Sequence, residues 1–318
     1  AKGAIQLSDM PMAPGKEQLP PPEGKEELVF QEFSGSIRRD WQIASFSLLL
    51  SGRQKEAERS IPAAIDLPDY DQEINAEETI PVQEPKGIFA FPKGARPGTL
   101  LHDIFEHIDF AAKDLSSIKT IVTGKLKEYG FESHWQETVC EMVQKVLAAP
   151  LQMEKNGLTL SCIEMKDRLT ELEFYFPLQP ITPKKLKKVF AEHAGPEIAD
   201  RFPQQIENLN FVPAQGFMKG FMDLVFQWQG CFFLADWKSN YLGSRVEDYG
   251  HRALLKEMEE NFYFLQYHLY TLALHQYLKK RLPDYAYEKH FGGVFYIFLR
   301  GVSPESGPEF GIYRDLPR

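Results

Sequence analysis

"FMDLVFQWQGCFFLADWKSN", residues 221–240, decides how this chain folds. Two apolar runs flank Gln229-Gly230, a dipeptide suited to a tight turn, so the stretch reads as a β-hairpin. A two-residue loop pairs Trp228 with Cys231, and the same register sets Asp223 opposite Asp236. Directly opposed side chains share a face, with Cβ atoms about 4.5–5.5 Å apart. Lys238 shares the face of Asp236, because strand side chains alternate with period two. Two carboxylates that close repel each other unless a cation lies between them. An isolated strand aspartate ordinarily faces solvent; two opposed on apolar strands, with a lysine two residues on, point to a shared hard ion such as Mg²⁺.

Working outward, "FPKGARPGTLLHDIFEHIDFAA" (91–112) predicts a helix from near Pro97, with Leu100, Leu101, Ile104, Phe105 and Ile108 on one face. His102 and Glu106, four apart on its flank, can reach one site. Helical patterns continue through 114–148. "TELEFYFPL" (170–178) reads as a strand, 183–194 as a helix, 251–281 as one long helical run and "FGGVFYIFLRG" (291–301) as a buried strand. The fold class is therefore α/β or mixed α+β, a central mixed sheet flanked by helices.

The chain has 318 residues and a formal net charge of -9. Residues 66–84 hold seven acidic residues and no Lys or Arg, so most of that excess belongs to one stretch. The expected organisation is a tether over 1–28, a short packed segment over 29–60 containing "DWQIASFSLLLSG", an acidic linker over 61–85 and a main domain over 86–318. Three scattered cysteines, Cys140, Cys162 and Cys231, argue against a disulfide framework or a zinc cluster and for a reducing, cytoplasmic setting. The start at Ala1, without an apolar leader, reads as a fragment or processed form, and no run is long enough for a membrane span. No G-x-x-x-x-G-K-[ST] loop of a nucleotide-driven motor occurs, and no G-x-S-x-G of acyl chemistry.

Asp223 followed by Asp236-Trp237-Lys238 resembles the D…(D/E)-x-K signature of the PD-(D/E)xK nucleases. The longer string "GFMDLVF…LADWKSNYLG" is similar to the nuclease domain of the RecB family within them. "FPKGARPGTLLHDIFEHIDF", "LEFYFPL", "LQYHLYTLALHQYL" and "HFGGVFYIFLRG" fit the same family, so the resemblance spans about residues 86–302. It implies a restriction-endonuclease-like core and Mg²⁺-dependent hydrolysis of DNA phosphodiesters, of the exodeoxyribonuclease V type with single-strand endonuclease activity. Mn²⁺ would substitute for Mg²⁺, and Ca²⁺ would be an inhibitory occupant. Carried over by position, His102, Asp223 and Asp236 match the metal ligands, together with the backbone carbonyl of Trp237. Lys238 matches the catalytic lysine, and Gln266 and Tyr270 match a Gln-x-x-x-Tyr motif. Trp237 stands where relatives often carry Tyr, and its side chain should face away from Asp236 and Lys238.

The implied partners are single-stranded DNA and duplex ends, the RecC and RecD subunits and the RecA recombinase. A docking module for RecA is the alternative to an enzyme. Glu106 is a candidate for orienting His102, with a solvated helix-face carboxylate equally open. Glu173 reads as an edge-strand charge or a contributor to the metal site. The basic runs Lys184–Lys188 and Lys279–Arg281 read as solvated helix faces, with phosphate tracking as the alternative.

Overall fold

Gln229 and Gly230 both take positive φ, 48° and 83°. Two such residues in succession match the right-handed twist of the flanking strands and so close a tight hairpin. The hairpin joins β3, Ala214–Trp228, to β4, Cys231–Lys238, with Trp228 paired to Cys231 as the turn requires. In the computed structural model the described residues are 41–51, 85–112, 114–153, 157–195, 198, 201–207, 209 and 214–317. They lie in one compact unit, Arg39–Arg318. The tether expected over 1–28, and the acidic linker except Pro85, lie outside the described residues.

Six strands form one mixed sheet. Strand β2, Arg168–Ile181, runs antiparallel along nearly all of β3. On the other edge of β3 lie β4 near the turn and β1, Trp41–Ala44, near its start; β1 is parallel to β3. Strand β5, Phe291–Phe298, runs parallel to β4, and β6, Ile312–Asp315, closes the far edge antiparallel to β5. The segment around "DWQIASFSLLL" thus contributes a strand of this sheet and the short helix α1, Phe46–Ser51. Strand β6 has too few residues to stand out in the sequence.

Helices cover both faces, and the sheet separates two apolar cores. On one side pack α2 (Ala95–His107), α3 (Leu115–Glu128) and α4 (Gln136–Ala148), against Leu224, Phe226, Ala235, Trp237 and Phe295. On the other pack α5 (Pro183–His193), α6 (Phe202–Glu207), α7 (His251–Glu260) and α8 (Tyr263–Arg281), against Met218, Met222, Leu234 and Tyr296. A short helix, α9, Tyr287–His290, leads into β5. The single helical run expected over 251–281 is two helices. Asn261 ends α7 by donating to Glu257 O, and Phe262 then takes a left-handed φ of 57° that breaks the hydrogen-bond ladder. Burying Phe262 outweighs that local cost.

Along β3 the alternation shifts phase. Met218 and Met222 face the α8 core, whereas Leu224 and Phe226 face the α2–α4 core. Between them stands Asp223, across from Glu171, whose φ of 48° is left-handed. The phase shift turns Asp223 toward the α2 side in the middle of an apolar sheet, whereas Lys238 of β4 faces Tyr263 of α8, and the candidate site lies where the two sides meet.

Candidate active site

Pairing between β3 and β4 stops at Leu224↔Ala235, one pair short of Asp223 and Asp236. The expected direct opposition of those two aspartates is thereby corrected. Asp223 Oδ2 instead accepts the Trp237 N–H at 2.8 Å, replacing a main-chain acceptor with a carboxylate. That bond holds Asp223 at the point where the strands part. Trp237 sends its indole to the opposite face, as expected, and stacks on Phe105 of α2 with ring centroids 4.5 Å apart.

His102 comes from α2, whose buried stripe of Leu100, Leu101, Ile104 and Phe105 seats the helix on the sheet. Gly98 lets α2 approach the end of β4: a Cβ there would stand 2.9 Å from Ser239 Oγ. One turn on, His102 Nδ1 lies 3.3 Å from Asp223 Oδ2, with His102 buried.

The sequence analysis did not single out Glu171. Its neighbours pair as Thr170↔Leu224 and Leu172↔Met222, which sets Glu171 across from Asp223. Ligand atoms of His102, Glu171 and Asp223 all lie within 4.8 Å of one another. Glu173 does not join them. It pairs across from Phe221, accepts from Tyr175 Oη and lies 3.2 Å from Lys219 Nζ, on an exposed face. The two glutamates are two positions apart on one strand, and the register of β2 against β3 decides between them. The strands are separated by residues 182–213, so no turn fixes that register in the sequence. Glu106 lies at the rim, grouped with Asp103 and His107, and its charge reaches Glu171.

Asp236 and Lys238 form a buried ion pair, Nζ to Oδ1 2.7 Å. The Lys238 ammonium stands over the Tyr263 ring, 4.0 Å from its centroid, and 5.3 Å from that of Tyr296. A cation over a ring face is held electrostatically without being neutralised. Tyr263 is positioned in turn by Asn240, whose Nδ2 donates to its hydroxyl at 3.3 Å. Gln266 and Tyr270 lie behind this cage: Tyr296 Oη donates to Gln266 Oε1 at 2.8 Å, and Gln266 Nε2 to Tyr270 Oη at 3.4 Å. Arg300 anchors the end of β4 by donating to the carbonyls of Ser239, Ile88, Phe91 and Pro92.

The electrostatics favour a cation. Burial pushes the Asp236 carboxyl up to about 7, against the pull of Lys238 and with the repulsion of Asp223 added. Glu171 is pushed up to about 8, first by burial and then by the charges of Asp223, Glu106, Asp236 and Asp103. Carboxylates held together with raised proton affinity and an imidazole beside them are a donor set for a hard divalent ion, which takes oxygen ligands and would displace the protons. The residues present fit such an ion.

The basic runs lie apart from this cluster in sequence and are partly engaged. Lys187 pairs with Glu207, and Lys188 Nζ lies 3.9 Å from Glu192. Lys279, Lys280 and Arg281 occupy the last turn of α8, where cations offset the helix dipole. Cys140, Cys162 and Cys231 are free thiols. Among the described residues no helix is long and apolar enough to cross a membrane.

No protein-family model matches the chain. The chain is 41% identical over 229 residues to the RecBCD enzyme subunit RecB of Escherichia coli, a match covering 71% of this chain and 18% of that protein. It is 34% identical over 301 residues to the RecB subunit of Haemophilus influenzae, covering 92% of this chain and 24% of the relative. With RecB of Mycolicibacterium smegmatis it shares 29% identity over 91% of its length. In the first two matches the chain thus spans less than a quarter of its relative.

Proposed function

Because this chain is of RecB type over most of its length, we propose that it is the nuclease part of a RecBCD-type helicase–nuclease. It would hydrolyse DNA phosphodiesters with a divalent ion, Mg²⁺ in the first instance, in the processing of DNA ends for repair and recombination. The observation that carries this reading is the meeting of Glu171, Asp223 and His102 beside the buried Asp236–Lys238 pair. Such a set suits phosphodiester chemistry, because a phosphate enters an anionic site only where positive charge offsets it.

In this reading His102, Asp223, Asp236 and the Trp237 carbonyl hold the ion, and Glu171 joins them. When bound, the ion would polarise the scissile phosphate and acidify a water. Lys238 contributes the second positive charge, aimed by Asp236 and by the Tyr263 ring at the negative charge that develops on phosphate oxygens. Its ammonium is pre-positioned, so little side-chain entropy remains to be lost at the moment of reaction. Gln266 supports Tyr296, and through it the cage around Lys238. Backbone contacts carry no base information, so cleavage should be sequence-tolerant. RecC- and RecD-type subunits are the proposed partners, in keeping with the names of the relatives, and RecA docking belongs to the same proposal.

The test is Asp236→Ala and Lys238→Ala in the full chain. Mg²⁺-dependent cleavage of single-stranded DNA should fall at least about a hundredfold in each. Full activity in either variant would sink the assignment.

A further inference from the structure

Two segments run side by side away from the candidate site. One, residues 88–94, leads into α2, and the other, residues 239–241, leaves β4 just past Lys238. Arg300 ties them together, donating to the carbonyls of Ile88, Phe91 and Pro92 on the first and of Ser239 on the second. Gly98 of α2 meets Ser239, and the Lys93 ammonium stands over the Tyr241 ring, 3.4 Å from its centroid. Lys93 is exposed, and among the described residues no carboxylate pairs with it. A ring face fixes a cation without neutralising it, so the charge stays available to an anion. Tyr241 follows Lys238 by three residues, which places the two Cα atoms at most about 11 Å apart. Along α2 in the other direction, past His102, stand Asp103 and Glu106. Their charges reach Glu171 even with Lys125 paired to Asp103 at 2.8 Å. The rim of the site is thus cationic at one end and acidic at the other.

We infer that Lys93 on Tyr241 is a phosphate-binding subsite, holding a backbone phosphate of the DNA strand next to the one at the carboxylate cluster; the inference rests on the phosphodiesterase reading. A polyanion with one phosphate at the cluster runs on in two directions. Toward Asp103 and Glu106 its next phosphates meet like charge, and toward Lys93 they meet a positioned ammonium. A lysine binds phosphate as a point charge, and one already held over a ring loses less side-chain freedom on binding than a free one. Contact with the backbone carries no base information, which suits cleavage without regard to sequence. Lys93 is here a binding residue, and Tyr241 and Arg300 are positioning residues. An acidic protein segment on the same ammonium is the outcome the test sets against DNA.

Binding of a fluorescein-labelled twelve-residue oligothymidylate in Mg²⁺ is measured by anisotropy across a salt series. The background is Asp236→Asn, below its melting temperature, where cleavage does not consume the probe. Lys93→Gln should raise Kd about threefold or more and make the slope of log Kd against log salt shallower by about 0.7, the share of one phosphate contact on a single strand. Lys93→Arg, which can also sit over a ring, should keep Kd within about twofold and the slope in place. Tyr241→Leu should raise Kd with the slope in place, because the charge stays and its positioning is lost. In cleavage without Asp236→Asn, Lys93→Gln should raise KM with kcat within about twofold, since the contact is the same before and during the reaction. The subsite is overturned if Lys93→Gln leaves Kd and salt slope unchanged, as an acidic protein partner or a purely structural staple would, or if kcat falls with KM unchanged. Failure of the phosphodiesterase reading shows separately, as no cleavage by the protein without substitutions, while salt-dependent binding is still read.

Discussion

At the scale of single residues, the site concentrates negative charge that Lys238 offsets only in part. Asp236 and Glu171 carry carboxyls raised from 3.8 and 4.5 to about 7 and about 8. Between those limits the folded protein holds protons that the unfolded chain has released. The contribution of these two groups to the stability of the metal-free protein is therefore fully present below about pH 4 and is lost as pH rises from about 4 to about 8. Asp236→Asn removes one of the two groups and keeps the shape. In metal-free buffer the variant should show a flatter melting profile between pH 4 and 8, at a melting temperature lowered by leaving the buried Lys238 ammonium without its carboxylate, while losing cleavage. A parent profile already flat across that window would contradict the burial assigned to these carboxyls.

Among the elements, the β3–β4 hairpin positions the site and its turn is under mild strain. Gln229 adopts a left-handed φ of 48°, a region in which Asn is more at ease. Gln229→Asn should stabilise the protein by about 1 kcal/mol in denaturant unfolding, with cleavage unchanged because the turn lies at the opposite end of β4 from Asp236 and Lys238. A loss of stability would mean that the Gln229 side chain makes a contact worth more than the backbone preference. The hairpin and its first five pairs were legible in the sequence, since a two-residue loop leaves one register. The end of the ladder was not. Whether Trp237 N–H meets a carbonyl or the Asp223 carboxylate depends on where β3 bends, and that follows from the phase shift opposite Glu171.

Across the whole molecule, the proposed ligand set draws on α2, β2, β3 and β4, so an ion would cross-link both sides of the sheet. Ligands that bind the folded state alone raise its stability by mass action. Mn²⁺ or Mg²⁺ should raise the melting temperature at pH 8 more than at pH 5.5, because at the lower pH protons compete for Asp236 and Glu171. His102→Ala should reduce that shift. An ion-independent melting temperature at both pH values would exclude a site built from these four elements.

The sequence by itself determined the hairpin, the mixed α+β class, the helix that carries His102 and the grouping of Asp223, Asp236 and Lys238 around one turn. These are short-range matters, governed by period, turn chemistry and spacing. Only the tertiary structure decided that Glu171, not Glu173, faces Asp223 and that Tyr263 and Tyr296 cage Lys238. Each depends on pairing or packing between segments far apart in the chain. There no local turn fixes the register, and a shift of one residue sends every side chain to the opposite face.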